Sequence, residues 1–299
     1  MPSWAGSKRP ALNRNRHMIG ETGTIPTLNY GAKVGILVGV AALAIGITWF
    51  ISPIAQDPAY HQFADRRVFF GIPNFGDAAS NIGFLIVGAL GLAFVFGKRG
   101  WSMFDTPGER WPYLIFFVGV ALISVGSAYY HVDPTTETLF LDRLPMTVAF
   151  MALFSAFITD RIHTRVGVVV LLPLLLAIGI GTVVYWHLTE VAGHGDLRPY
   201  GLVQFYPMLA IPLICLLFRR RHTTGKHVFY LLLWYSLAML CEQFDGEIYA
   251  LLGHAVSGHT LKHVIAAVAT YMVLAMLRGA TPAQQTDANK LSSGPNILT

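Results

Sequence analysis

The chain has 299 residues, of which 54% are hydrophobic and only 12% are charged. Soluble domains normally carry about 25% charged residues, so this composition excludes an ordinary soluble fold and indicates an integral membrane protein. The 21 Lys and Arg exceed the 16 Asp and Glu. Such an excess also occurs in nucleic-acid-binding proteins, but in a membrane protein it is typical of cytoplasmic loops. We therefore predict a membrane protein with no nucleic-acid partner.

Membrane spans dominate the chain. A helix needs about 20 apolar residues to cross the hydrocarbon core, and eight stretches meet this requirement, so we predict an all-α membrane protein with eight spans and no strand. The first stretch is too long for a signal peptide, and no clear small-residue cleavage site follows it. The predicted spans are 33–53, 79–97, 112–130, 138–159, 166–186, 199–218, 228–248 and 259–278.

The predicted organisation places polar tails at 1–32 and 279–299 around a membrane domain that covers 54–278. With eight spans, the two tails and the alternate loops lie on one side of the membrane. Sixteen of the 21 Lys and Arg fall on that side, against three on the other. Because cytoplasmic loops are enriched in Lys and Arg, both termini are predicted to be cytoplasmic.

Four ionisable residues converge in this topology. His131 ends the third predicted span, Asp142 opens the fourth, and His259 and His263 open the eighth. All four are predicted to lie near the non-cytoplasmic side, at one depth. Because ionisable groups within spans are costly and usually face a functional interior, we predict a shared site there.

Zinc hydrolysis fits these residue types. Residues i and i+4 share a helix face, so His259 and His263 can bind one ion and His131 can complete a three-histidine catalytic set. Zinc lowers the pKa of bound water to about 7. Asp142 would accept the proton of that water, and Ser127, one turn before His131, would support the oxyanion. This predicts hydrolysis of an amide or ester with an apolar chain.

Simpler interpretations remain open for each residue alone. An HxxxH pair is a weak motif, and Ser127 could serve only in helix packing. Asp142 could pair with Arg143. Three acids of the seventh span could support the zinc site or pair with a neighbouring cation; they are Glu242, Asp245 and Glu247.

Three stretches of the chain resemble the alkaline ceramidase family, part of a superfamily of seven-helix membrane hydrolases that includes adiponectin-type receptors. They are IPNFGDAASN (72–81), SAYYHVDPTTETLFLDRLPM (127–146) and GHTLKH (258–263). The resemblance implies a zinc amidase that cleaves ceramide into a long-chain base and a fatty acid. It also implies zinc ligation by the three histidines, catalytic assistance from Ser127 and Asp142, and an extra N-terminal helix at 33–53.

The chain departs from eukaryotic members of the family at their calcium site. Asn74 stands where those members have a glutamate, and their Trp-Cys-Glu run is absent. Asp65, Asn74 and Asp77 still offer oxygen ligands suited to Ca²⁺, although Asp65 could pair with Arg66 or Arg67 instead. The cofactor-poor pattern with basic loops suggests a bacterial member, for which another N-acyl lipid could replace ceramide as the membrane substrate.

Three other functions remain open. A receptor-like member of the superfamily would bind lipid with little turnover. A haem protein would use paired histidines as iron ligands, usually from facing helices. A transporter is less well supported, because no pair of broken helices occurs in repeated halves.

Overall fold

A computed structural model describes residues 28–219, 223 and 225–280, and within these ranges the fold is helical, with one isolated β-bridge between Phe69 and Ile72. The predicted polar tails fall mostly outside these ranges and stay predictions. The helices are α1 Tyr30–Phe50, α2 Phe75–Ser80, α3 Ile82–Phe96, α4 Lys98–Met103, α5 Trp111–Val132, α6 Thr136–Arg161, α7 Leu172–Val191, α8 Arg198–Leu217, α9 Gly225–Gln243, α10 Asp245–Leu251 and α11 Gly258–Arg278. A π-helical segment, Val166–Leu171, leads into α7.

Seven helical segments of the described chain are long and apolar enough to cross a membrane. The predicted all-α membrane class is therefore confirmed, whereas the count of eight spans stays a prediction. The segments are Tyr30–Phe50, Phe75–Phe96, Pro107–Val132, Thr136–Arg161, Val166–Val191, Arg198–Leu217 and Gly258–Arg278.

The predicted span at 228–248 is not one of the seven. The chain leaves the helix at Phe244, between α9 and α10. Asp245, the first residue of α10, accepts hydrogen bonds from the backbone N–H groups of Ala64, at 2.9 Å, and His259, at 2.7 Å. The interruption thus ties the end of α9 to the start of α11, and α9 packs along α11.

Close helix packing at small residues builds the centre of the bundle. Gly119 of α5 faces Ala149 of α6, and Gly126 faces Leu141, which is the register of an antiparallel pair. On the other side of α5, Gly88 of α3 leaves so little room that an added Cβ would lie 2.7 Å from Ala121. Small residues allow membrane helices to approach closely, and here they draw α3 and α6 onto α5.

The extra N-terminal helix lies at the edge of the bundle. None of the residues of α1 is buried, and its principal neighbour is α8. Val34 and Leu37 pack against a small cluster that includes Ile214 and Phe218. The backbone after α1 is held by a hydrogen bond from Leu197 N to Ile54 O at 2.8 Å. α1 therefore attaches along one face only.

Candidate active site

Three buried histidines meet at one end of the bundle. His131 comes from the last turn of α5, and His259 and His263 come from the first two turns of α11. Each pair of rings has a centroid separation of 4.8 Å. One nitrogen of each ring lies within 4.8 Å of the others, so the group is suited to hold a metal ion. The structure thus brings together all three histidines predicted from the sequence.

The start of α11 is fixed so that both of its histidines face α5. Ser257 caps the helix by accepting a hydrogen bond from Thr260 N at 2.9 Å. Gly258 allows α11 to approach the interrupted end of α9, because an added Cβ there would lie 2.7 Å from the Cα of Asp245. Asp245 in turn binds the backbone of His259.

Hydrogen bonds indicate which ring nitrogens are available to a metal. The Nδ1 of His263 lies 3.0 Å from the carbonyl oxygen of Asp77 and 2.9 Å from Ser80 Oγ. Because a carbonyl only accepts, this Nδ1 carries the proton and Nε2 is left with a lone pair. His131 Nδ1 and His259 Nε2 are buried with no hydrogen-bond partner in the described chain.

The unpartnered nitrogens of His131 and His259 bear on whether these residues could bind a metal ion. A buried polar atom without a partner is costly, and two of them here belong to rings that converge on one point. Three neutral imidazoles are a ligand set of catalytic zinc sites, and a hydrogen bond that orients a ligating ring is their usual support. The donor set therefore fits zinc.

Ser127 and Asp142 lie beside the histidines on the facing helices α5 and α6. Both are buried, and both line the same cavity. The residues before them, Gly126 and Leu141, form the close contact between the two helices. The helix contact therefore positions the serine–aspartate pair predicted from the sequence.

An ion pair between Lys262 and Glu242 lies in the same region. Lys262 is hydrogen-bonded to Glu242, which also accepts from Tyr60 OH at 3.0 Å. Of the two interpretations open for this acid, the structure therefore shows the ion pair. Asp245 instead supports His259 through the backbone.

A cavity of about 760 Å³ opens from this region into the bundle. Ser127, Asp142, Lys262 and His263 line its polar end. Its size falls within the range of small-molecule binding sites. Most of its wall is apolar, contributed by α3, α5, α6, α8, α9, α11 and the edge helix α1. The cavity can therefore hold a long apolar chain with its polar end beside the histidines.

The three residues considered for calcium take part in hydrogen bonds around the site. Arg67 donates to both carboxylate oxygens of Asp65, at 2.6 and 2.8 Å, and holds the pKa of Asp65 below its usual value. Asn74 donates its side-chain amide to the carbonyl of His131 at 2.8 Å. Asp77 accepts from the Thr260 hydroxyl at 2.6 Å. These contacts brace the histidine-bearing segments, and calcium binding stays a prediction.

Sequence reasoning missed two residues that contact the histidines. Phe63 packs its ring against those of His131 and His259, with centroids 4.6 and 4.8 Å away. Ser80 bonds His263. Ser80 lies in the stretch 72–81 that carries the family resemblance, so a signal was present for it, whereas Phe63 belongs to a loop with no motif.

Comparison with known proteins gives one match. A family model described as Ceramidase matches residues 70–293, which is more than two thirds of the chain and includes the serine, the aspartate and all three histidines. No curated protein and no solved structure matches the chain.

Proposed function

The chain belongs to the ceramidase family, and from this premise we propose that it is a zinc-dependent amidase acting within the membrane. Family membership supports hydrolysis of the amide bond of ceramide, a membrane lipid. The proposal adds the metal and the residues, and it includes related N-acyl lipids as substrates. It is carried by three buried imidazoles that converge beside Ser127 and Asp142, two of them with an unpartnered ring nitrogen.

His131, His259 and His263 would hold the zinc ion. When bound, zinc supplies a Lewis acid that polarises a carbonyl and makes water acidic at neutral pH. Asp142 acts as the general base, because its buried carboxylate takes a proton from the attacking water. As the bond from water oxygen to carbonyl carbon forms and the carbon–nitrogen bond breaks, Asp142 returns the proton to the departing nitrogen. The products are an amine and a fatty acid.

Ser127 completes the arrangement on the carbonyl side. Its hydroxyl lines the cavity beside Asp142 and can rotate to donate to the oxyanion that forms on the amide carbonyl. The acyl chain occupies the apolar part of the cavity, which includes Phe84, Phe116 and Phe150. The distribution of Lys and Arg supports cytoplasmic termini and a site near the non-cytoplasmic side.

The first test replaces one ligand. His259→Ala removes one of three zinc ligands, so we expect loss of bound zinc and of ceramide hydrolysis while the protein stays inserted in the membrane. His194→Ala is the matched control, because His194 is exposed in the loop after α7. Metal content by mass spectrometry and fatty acid release from ceramide are the measurements. Full activity with zinc retained in His259→Ala would refute the proposal.

A further inference from the structure

Arg143 is a buried arginine beside the candidate active site. It follows Asp142 in α6, and its side chain points to the loop after α1, where Nη2 donates to Gln56 Oε1 at 2.7 Å. The guanidinium lies 4.2 Å from the ring centroid of Trp186 and 4.8 Å from that of Tyr200. Aromatic faces stabilise a cation in this way, and here they surround a guanidinium whose residue is only 6% exposed.

One side of this guanidinium is left without a partner. Its Nη1 is buried and makes no hydrogen bond in the described chain, where no carboxylate lies within ion-pair distance of Arg143. A buried charge without an anion carries a large desolvation cost. The fold therefore provides no acceptor for this N–H group.

None of the nearby carboxylates supplies that acceptor. Glu242 is paired with Lys262, and within the described chain the Asp142 carboxylate makes no ion pair or hydrogen bond with Arg143. Glu190 accepts from the backbone N–H of Gln56 at 2.6 Å and from Trp186 Nε1 at 3.1 Å. The missing acceptor is therefore best supplied by a ligand.

Arg143 lines the same cavity as Asp142 and His263. A lipid whose amide lies beside Asp142 would have its head group next to the guanidinium. Guanidinium groups bind carboxylates and phosphates with strong, charge-assisted hydrogen bonds. We propose that Arg143 is a specificity-determining residue that binds an anionic oxygen on the amine half of the substrate. This rests on the proposed amidase function and makes acidic N-acyl lipids better substrates than neutral ceramide.

The hydrolysis test compares substrates with and without an anionic group on the amine half. N-palmitoylglycine carries a carboxylate and N-palmitoylglycinamide is its neutral counterpart; ceramide 1-phosphate and ceramide form the phosphate arm. We expect the wild type to favour at least one acidic member by about tenfold or more in kcat/KM, mainly through KM, because hydrogen bonds between charged groups are strong. In Arg143→Gln the ratio should fall toward one. Equal wild-type rates in both arms, or a ratio unchanged in Arg143→Gln, would overturn the proposal.

A binding test separates this proposal from the amidase function. In His259→Ala, which lacks a zinc ligand, carboxylate binding to the metal cannot mimic the subsite. Protection against thermal unfolding by N-palmitoylglycine should exceed that by the glycinamide, and the excess should vanish when Arg143→Gln is added. If this preference is present but no substrate is hydrolysed by the wild type, the amidase proposal fails and the subsite stands. If hydrolysis occurs without any preference in binding, the subsite fails alone.

Discussion

Gly126 controls the distance between the helices that carry the serine and the aspartate. A Cβ added at Gly126 would lie 3.0 Å from the carbonyl carbon of Leu141 and closer still to its oxygen, whereas ordinary contact begins at 3.4 Å. Both atoms belong to the backbone of Leu141, so Gly126→Ala must separate α5 from α6 by more than the 0.4 Å that the carbon alone requires. Because Ser127 and Asp142 are the next residues on each helix, their side chains must move apart.

Two magnitudes follow from this separation. Overpacking a tight contact costs about 1–3 kcal/mol of stability, so the variant should still fold but unfold at a lower temperature. Misplacement of catalytic groups by about 1 Å can reduce the rate by about 10²-fold. We therefore expect kcat for ceramide hydrolysis to fall about 10- to 100-fold in Gly126→Ala, while zinc content stays near that of the wild type, because α6 carries none of the three histidines.

The control for this variant is Gly181→Ala. Gly181 lies in α7, and an added Cβ there meets nothing within 4 Å, so both kcat and thermal stability should stay at their wild-type values. Metal content, kcat and the unfolding temperature in detergent are measured for all three proteins. Wild-type kcat in Gly126→Ala would refute the reasoning that this helix contact positions Ser127 against Asp142.

Two further predictions concern the cavity wall and the loop before α2. Ala44 of α1 lines the cavity, so Ala44→Trp should shift hydrolysis toward substrates with shorter acyl chains. Ala42→Trp is the control, because Ala42 is exposed on the same helix. If Ala44→Trp and the wild type hydrolyse the same range of chain lengths, α1 is not part of the acyl site. The pKa of Asp65 is lowered by its hydrogen bonds from Arg67. The ionised carboxylate therefore contributes its full stabilisation above the pKa of an aspartate in the unfolded chain, about 3.9. That stabilisation is lost as the pH falls through the lower pKa of the folded protein. The difference in unfolding temperature between wild type and Asp65→Asn should therefore shrink below about pH 4, and a difference independent of pH would contradict this role.

Hydropathy was sufficient for the fold class, because crossing a bilayer requires long apolar runs that are visible within each segment of the sequence. The spacing of His259 and His263 was sufficient to place both rings on one helix face, since that spacing is a local property of the helix. The interruption of the helix at Phe244, inside the predicted span at 228–248, was not visible in the sequence, because the carboxylate of Asp245 binds backbone groups far away in the chain.

Contacts between distant segments needed the tertiary structure. The amino-acid sequence established that three histidines, a serine and an aspartate lie near membrane helix ends. Only the packed bundle showed that the three rings meet, that Ser80 orients His263, and that Arg143 has an N–H group without an acceptor. The physical reason is that helix formation and membrane insertion depend on neighbouring residues, whereas these contacts depend on which helix faces approach each other and how closely.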